Sequence, residues 1–169
     1  MYLLPWSIVT VLIILLDTIS KSLVENNMVL NTGDIPVIEG VFHLHFVKNP
    51  GATFGFMDEV SWAREFFIAV TFVLIFGIVI YTVVSKVKNK IYLASVSFIV
   101  GGGIGNLIDR MAFGEVVDFF EFRLINFAIF NVADCFVVIG VGLMIIYCIK
   151  EELKTKRKVA INGESDGNN

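Results

Sequence analysis

The sequence has little of what disulfide-bonded, zinc-binding or nucleic-acid-binding proteins need. Its two cysteines, Cys135 and Cys148, lie in one apolar run. They form no CxxC pair and enclose no loop to staple, so we expect free thiols rather than a disulfide or a zinc site. The net charge is only −3, so the chain lacks the basic field that nucleic acid requires, and we expect no nucleic-acid partner.

Apolar residues, by contrast, are abundant. They make up 56% of the 169 residues, which is above the apolar share of typical soluble domains. The mean hydropathy is +0.80. Four segments reach the length of about 20 apolar residues that a membrane-spanning helix needs. These predicted spans cover about residues 3–24, 66–84, 91–108 and 127–149. The first span lacks the basic start and small-residue cleavage site of a signal peptide, so we expect it to be retained.

The basic residues predict how these spans are oriented, because short cytoplasmic segments carry most of the lysine and arginine. The turn SKVKNK (85–90) holds three lysines, and KEELKTKRK (150–158) holds five basic residues. We therefore expect both termini in the cytoplasm, with residues 25–65 and 109–126 on the outer side. Residues 1–150 form one predicted membrane domain. The tail, 151–169, ends without apolar periodicity and is predicted to be disordered.

Polar residues collect near the predicted outer ends of three spans. The set comprises Asp17 and Lys21 on the first span, Asn106, Asp109 and Arg110 on the third, and Asn131 and Asp134 on the fourth. Asp134 is expected about 10 Å inside its helix, from a rise of 1.5 Å per residue. The glycines of GGGIGN (101–106) indicate either close helix approach or a backbone that faces a ligand.

The outer segments carry signs of a small β element. VFHLHFVKN (41–49) alternates like a strand, with Phe42, Leu44 and Phe46 on one face, and the Pro-Gly turn after it directs Asn49 back to the membrane. We expect a small sheet resting on the bilayer. The aromatic residues suited to its interface are Phe54, Phe56 and Trp62. The predicted fold class is therefore membrane all-α with four transmembrane helices and a small extracytoplasmic sheet.

Asp118 and Asp134 form the most suggestive pair in the chain. They are sixteen residues apart, so a short loop can bring them together. Two partly desolvated carboxyl groups in contact cannot both ionise. The ionised member can then activate a water while the protonated member hydrogen-bonds a carbonyl, which is metal-free peptide hydrolysis. The residues alone also allow a structural contact, for example of Asp134 with Arg110, or an ion or proton pathway.

Other catalytic arrangements are poorly supported. His43 and His45 would point to one side of a strand, but no third metal ligand has a suitable spacing. Ser20 and Lys21 are adjacent on a helix and point about 100° apart, which suits no serine–lysine dyad. We expect neither a metal nor another cofactor. A small transporter remains the main alternative, although the cytoplasmic halves of the spans have few charges to serve as a relay.

Five motifs resemble those of the lipoprotein signal peptidase family, also called signal peptidase II. In chain order they are DTISK (17–21), NPGATFGF (49–56), GGGIGNLIDR (101–110), GEVVDFFEF (114–122) and FNVADCFVVIG (130–140). The resemblance covers about residues 10–142. Thr53 and Gly103 stand where the family commonly has alanine, and neither departure removes an ionisable group.

The resemblance implies an aspartic endopeptidase of the bacterial cytoplasmic membrane. Such an enzyme removes signal peptides from prolipoproteins by cutting before a diacylglyceryl-modified cysteine. The implied site residues are the catalytic dyad Asp118 and Asp134, a polar lining of Asn49, Asn106, Arg110 and Asn131, and the supporting pair Asp17 and Lys21. For the supporting pair, an ion pair between helices is the alternative. The expected partners are these substrates and membrane lipids, and the expected state is a monomer.

Overall fold

The computed structural model describes residues 2–51, 62–125 and 127–166. Its helices are α1 (Leu4–Asn27), α2 (Ala63–Ser85), α3 (Lys90–Ala112) and α4 (Val132–Asp166), and its strands are β1 (Ile35–Ile38), β2 (Phe42–Asn49) and β3 (Val116–Phe122). Within the described ranges, four helices are long and apolar enough to cross a membrane. The strands form one antiparallel sheet in the order β1-β2-β3. The predicted fold class is confirmed.

α3 is the central helix. Half of its most apolar stretch is buried inside the protein, whereas only 6% of the corresponding stretch of α2 and 11% of that of α4 are buried. The other three helices all pack against α3. Its side chains Tyr92, Leu93, Val96 and Val100 form a buried apolar cluster. The other helices leave many large apolar side chains exposed, which is typical of a surface in contact with lipid.

Glycines allow α3 and α4 to lie unusually close. A Cβ atom added at Gly102 would lie 2.3 Å from the carbonyl oxygen of Ala133, and one at Gly140 would lie 2.9 Å from the backbone nitrogen of Ile99. Such distances are below van der Waals contact, so only glycine fits at either position. Of the two roles that the sequence left open for Gly102, close helix approach is the one that its contacts support.

We expect Gly102→Ala to lower the free energy of unfolding by at least about 1 kcal/mol, since overpacking a core usually costs about 1–3 kcal/mol. The added methyl group meets backbone atoms, which no rotamer change can move aside. Gly142→Ala is the matched control on α4, because its Cβ would have no heavy atom within 4 Å. Thermal unfolding in detergent, followed by circular dichroism, should show a lower Tm for Gly102→Ala alone. Equal Tm values would contradict the packing argument.

A bulge in β2 determines which face of the sheet the side chains after it occupy. β2 pairs in register with β3 at Leu44 and Phe120, but the register shifts before Val47 pairs with Asp118. An extra residue in one strand moves every later side chain to the other face. Phe46 therefore lies on the face of Phe119 and packs with Val24 of α1, so the prediction that it shares a face with Phe42 and Leu44 was wrong.

α4 extends beyond the predicted span. The helix continues to Asp166, past residue 151, where the sequence predicts the start of a disordered tail, and residues 167–169 lie outside the described ranges. Ion pairs at helical spacing support the extension: Lys154 lies 2.6 Å from Glu151, and Lys156 lies 2.7 Å from Glu152. Each pair of this kind stabilises a helix by about 0.2–0.5 kcal/mol without any apolar periodicity.

Candidate active site

The site is built around the first turn of α4. Asn131 Oδ1 accepts a hydrogen bond from the N–H of Asp134 at 3.0 Å, and Asp134 Oδ2 accepts one from the N–H of Asn131 at 3.0 Å. This reciprocal pair is a capping box, and it starts the helix. Before it, Phe130 forms an isolated β-bridge with Phe120, which keeps the chain extended.

The helix therefore begins at Val132, five residues after the predicted start of the span at residue 127. Asp134 lies in the first turn of α4, and its predicted position about 10 Å inside the helix was wrong. The positive end of the helix dipole faces this carboxylate and stabilises its negative charge.

Asn131 joins the two carboxylates of the predicted dyad. Its Nδ2 donates to Asp118 Oδ1 at 2.6 Å, while its backbone N–H donates to Asp134. Asp118, on β3, also accepts a hydrogen bond from Asn49 Nδ2 at 2.8 Å. Asn49 reaches this carboxylate because the bulge in β2 turns it to the face of Asp118, where its partner in register is Val116. The structure thus brings together Asn49, Asp118, Asn131 and Asp134.

Asp118 is 2% exposed, and its environment favours the protonated acid. Its pKa is raised to about 7, mainly because burial removes the water that would solvate the carboxylate. The hydrogen bond from Asn49 lowers the pKa, the charge of Asp134 raises it, and the hydrogen bond from Asn131 lowers it. Burial and the charge of Asp134 thus move the titration of Asp118 from the acidic range toward neutral pH.

Lys21 is buried and forms ion pairs with two aspartates. Its Nζ lies 2.7 Å from Asp17 Oδ2 on the same helix and 2.8 Å from Asp109 Oδ2 on α3. The predicted ion pair with Asp17 is thus present within α1, and Asp109 supplies the contact between helices. The other oxygen of Asp17 accepts a hydrogen bond from the N–H of Ala133 at 2.9 Å. Asp17 therefore ties α1 to the first turn of α4.

Asn106 connects Lys21 to the dyad through hydrogen bonds. Its Oδ1 accepts hydrogen bonds from Lys21 Nζ at 2.9 Å and from Asn131 Nδ2 at 3.0 Å. With the amide oxygen facing two donors, its Nδ2 is directed to Asp134 Oδ1 at 2.7 Å. Because an amide oxygen only accepts and its nitrogen only donates, Lys21 and Asn131 together determine which way the Asn106 amide faces.

A cavity of about 550 Å³ adjoins these residues. Its polar lining comprises Asn49, Asn106, Arg110, Asp118 and Asp134, and its apolar lining comprises Val116, Phe127, Ala128, Ile129, Phe130, Cys135, Val138 and Ile139. Val138 is 70% exposed, so the apolar side opens along the outer surface of α4 toward lipid. Sequence reasoning missed this wall because it assigned residues 127–130 to the helix. Sequence reasoning placed Asp109 among the polar residues of the third span but not in the predicted site, and the structure shows it paired with Lys21.

Arg110 lies at the edge of the cavity. Its guanidinium is 5.5 Å from the ring centroid of Phe67 on α2. Its buried Nε has no hydrogen-bond partner among the described residues. The side chain also lines a second cavity, beside Phe72 and Met111, between α2 and α3. A cationic donor in this position can bind a carbonyl oxygen that enters from the lipid side.

The two histidines lie away from the cavity. His43 contacts Asp34 Oδ2 through Nδ1 and accepts a hydrogen bond from the N–H of Gly40 at 3.2 Å, and His45 Nδ1 is 3.6 Å from Glu121. Among the described residues, no group of three or more His, Cys, Asp or Glu side chains is arranged to hold a metal.

The predicted interfacial aromatic residues are only partly described. Trp62 is 55% exposed and packs edge-on against Phe66 at the start of α2, which suits a position at the membrane surface. Phe54 and Phe56, together with Thr53, lie outside the described residues.

Comparison with known proteins gives a consistent result. The family model described as Signal peptidase (SPase) II matches residues 9–150. A lipoprotein signal peptidase of Brevibacillus brevis is 43% identical over 139 residues, covering 82% of this chain and 91% of that protein. The lipoprotein signal peptidase of Halothermothrix orenii is 42% identical, with 86% and 95% covered. A solved structure described as a bacterial membrane enzyme has a TM-score of 0.79 and 28% identity, with 88% and 89% covered.

Proposed function

Because the chain belongs to the signal peptidase II family, we propose that it removes signal peptides from prolipoproteins by aspartic catalysis, cutting before a diacylglyceryl-modified cysteine. The observation that carries the aspartic mechanism is the bridging of Asp118 and Asp134 by Asn131, beside a cavity that opens toward lipid. The test is to incubate the detergent-solubilised protein with a lipid-modified preprotein and with its unmodified form. Cleavage of the modified form alone supports the proposal, and cleavage of neither contradicts it.

In the proposed reaction, Asp134 is the base and Asp118 is the acid. We assign the base role to Asp134, in the first turn of α4, whose two oxygens accept hydrogen bonds from Asn106 Nδ2 and from the N–H of Asn131. It takes a proton from a water whose oxygen attacks the scissile carbonyl carbon. Protonated Asp118 hydrogen-bonds the carbonyl oxygen and stabilises the tetrahedral intermediate. The C–N bond then breaks, and the departing cysteine nitrogen receives the proton held by Asp134.

The cavity walls suggest how the substrate is bound. The signal helix would lie against the exposed side chains of α4, Val138 and Ile139. Arg110 would donate to carbonyl oxygens of the peptide or of the diacylglyceryl group. The scissile bond of a lipid-anchored substrate lies near the membrane surface, and the position of Asp134 in the first turn of its helix matches that shallow depth.

The proposal predicts a loss of activity at alkaline pH. Above the Asp118 pKa of about 7, kcat/KM should fall about tenfold per pH unit, because the ionised carboxyl can no longer donate to the carbonyl. Asn49→Ala removes a hydrogen bond that lowers this pKa, so its alkaline limb should move to higher pH. Rates measured between pH 6 and 9 test both statements. A flat profile, or a shift to lower pH in Asn49→Ala, would contradict the assignment of Asp118 as the acid.

The proposal also requires the dyad to face outward. Single cysteines at Glu39 and Lys154, both exposed positions, can report this in a background that lacks Cys135 and Cys148. We expect Glu39→Cys to react with a membrane-impermeant maleimide in intact cells, and Lys154→Cys to react only after lysis, because basic segments stay cytoplasmic. The reverse pattern would put the dyad at the cytoplasmic face and reopen the transporter alternative.

A further inference from the structure

Another cavity, here called the α1–α2 groove, has no part in the proposed reaction. It has a volume of about 340 Å³ and lies between α1 and α2, with α3 as its floor. The floor side chains Leu93, Val96 and Val100 are at most 8% exposed, whereas Val11 and Val83 on the two walls are more than half exposed. The groove is therefore open along its length to the surrounding membrane.

The hydroxyl groups in the groove are already satisfied. Four hydroxyl side chains line it, and each donates to a helix carbonyl oxygen: Ser7 to Leu3, Thr10 to Trp6 at 3.0 Å, Thr82 to Ile78 at 2.6 Å, and Ser97 to Leu93 at 2.9 Å. The surface left for a ligand consists mainly of methyl and methylene groups. A chain of methylenes, with no polar group to satisfy, fits this lining.

The length of the groove matches one lipid leaflet. Along α3 the lining runs from Leu93 to Ile104, which is about 16 Å at 1.5 Å per residue. The hydrocarbon core of a bilayer is about 30 Å thick, so one leaflet contributes about half of that. A single acyl chain can therefore fill the groove from end to end.

One end of the groove carries uncompensated positive charge. Leu3 and Trp6 line that end, and Lys88 lies beside it with its Nζ 5.9 Å from the ring centroid of the neighbouring Tyr2. Lys86, Lys88 and Lys90 are all exposed. None of the three forms an ion pair with another described residue. The turn is fixed by Asn89, whose Oδ1 caps α3.

We propose that the α1–α2 groove binds one anionic glycerophospholipid of the leaflet that the lysine turn faces. One acyl chain lies on α3, and the phosphate lies against Lys88 and its neighbours. The charge of the turn selects an anionic headgroup over a zwitterionic one, since each lysine near an anionic headgroup increases affinity about fivefold. The site is independent of the peptidase proposal, because it shares no lining residue with the active-site cavity.

Trp6 provides a direct test. Trp62→Phe leaves Trp6 as the single tryptophan, and the full chain is reconstituted in phosphatidylcholine vesicles. Phosphatidylglycerol or phosphatidylcholine brominated on the acyl chain is then titrated in. We expect half-maximal quenching of Trp6 fluorescence at an at least about fivefold lower mole fraction of the brominated phosphatidylglycerol.

Two matched pairs of variants separate the headgroup from the groove. Lys88→Gln should lower the preference for phosphatidylglycerol about fivefold, whereas Lys150→Gln should leave it unchanged. Val79→Phe fills the groove and should weaken quenching by both lipids, whereas Val84→Phe, which does not line the groove, should not. Equal quenching by the two lipids, an unchanged preference in Lys88→Gln, or unchanged quenching in Val79→Phe would each overturn the proposal.

Discussion

Asp118→Asn and Asp134→Asn should each reduce cleavage of a lipid-modified preprotein by at least about a thousandfold, because the two carboxyl groups act as one unit. Asparagine at position 134 cannot take a proton from water. At position 118 it presents an amide instead of an acid whose pKa is about 7. The large effect follows from chemistry rather than from shape, since asparagine is nearly isosteric with aspartate.

Glu121→Gln is the matched control for this experiment. Glu121 lies on the same strand as Asp118 and pairs with Arg123 at 3.0 Å, but it does not line the cavity. The single-turnover cleavage rate of Glu121→Gln should therefore be close to that of the enzyme without substitutions. All three variants should elute as folded protein in detergent, with Tm values measured alongside. Substantial turnover by a folded Asp118→Asn or Asp134→Asn variant would refute the dyad.

Much of the site could be predicted from the sequence, because its chemistry lies in a few residue types at fixed spacings. The pairing of Asp118 with Asp134 required only a loop short enough to join them. Hydropathy could not locate the start of α4, because residues 127–131 are as apolar when extended as when helical. The signal that was available is local: Asn131 and Asp134 have the spacing of a capping box.

The contact of Asn49 with Asp118 shows what the sequence could not supply. Strict alternation along β2 would place Asn49 and Leu44 on opposite faces of the sheet. The bulge between Leu44 and Val47 reverses this and brings Asn49 to the face of Asp118. No residue in this stretch predicts the bulge, which depends on how β2 packs against β3 and α1.

The distribution of buried polar groups favours hydrolysis over transport. The buried ionisable side chains of the helices, Asp17 and Lys21, are joined to the dyad through Asn106. In the half of the bundle around the lysine turn, the described buried polar side chains include Thr82 and Ser97, whose hydroxyls donate to helix carbonyls. A proton or ion pathway would need Asp, Glu, His, Lys or Arg side chains there as well, and none is among the described buried residues of that half.

Lys21→Met should be the most damaging substitution outside the dyad. It leaves the carboxylates of Asp17 and Asp109 buried without their cation, which costs about 3–5 kcal/mol when one partner of a buried pair is removed. It also removes one of the two donors to the Asn106 oxygen, and a small misplacement of a catalytic group can reduce the rate about a hundredfold. Lys48→Met is the control, since its exposed pair with Glu25 at 3.6 Å contributes less than about 1 kcal/mol.

A second substitution separates the two effects of Lys21. Adding Asp109→Asn to Lys21→Met removes one of the unpaired buried charges, so thermal stability should recover in part. Cleavage should not recover with it, because the Asn106 oxygen still lacks one of the two donors that together direct its Nδ2 to Asp134. The defect should appear in kcat rather than in KM, since Lys21 does not line the cavity. If activity returned in proportion to Tm in the double variant, Lys21 would only stabilise the fold, and its role in positioning Asn106 would have to be abandoned.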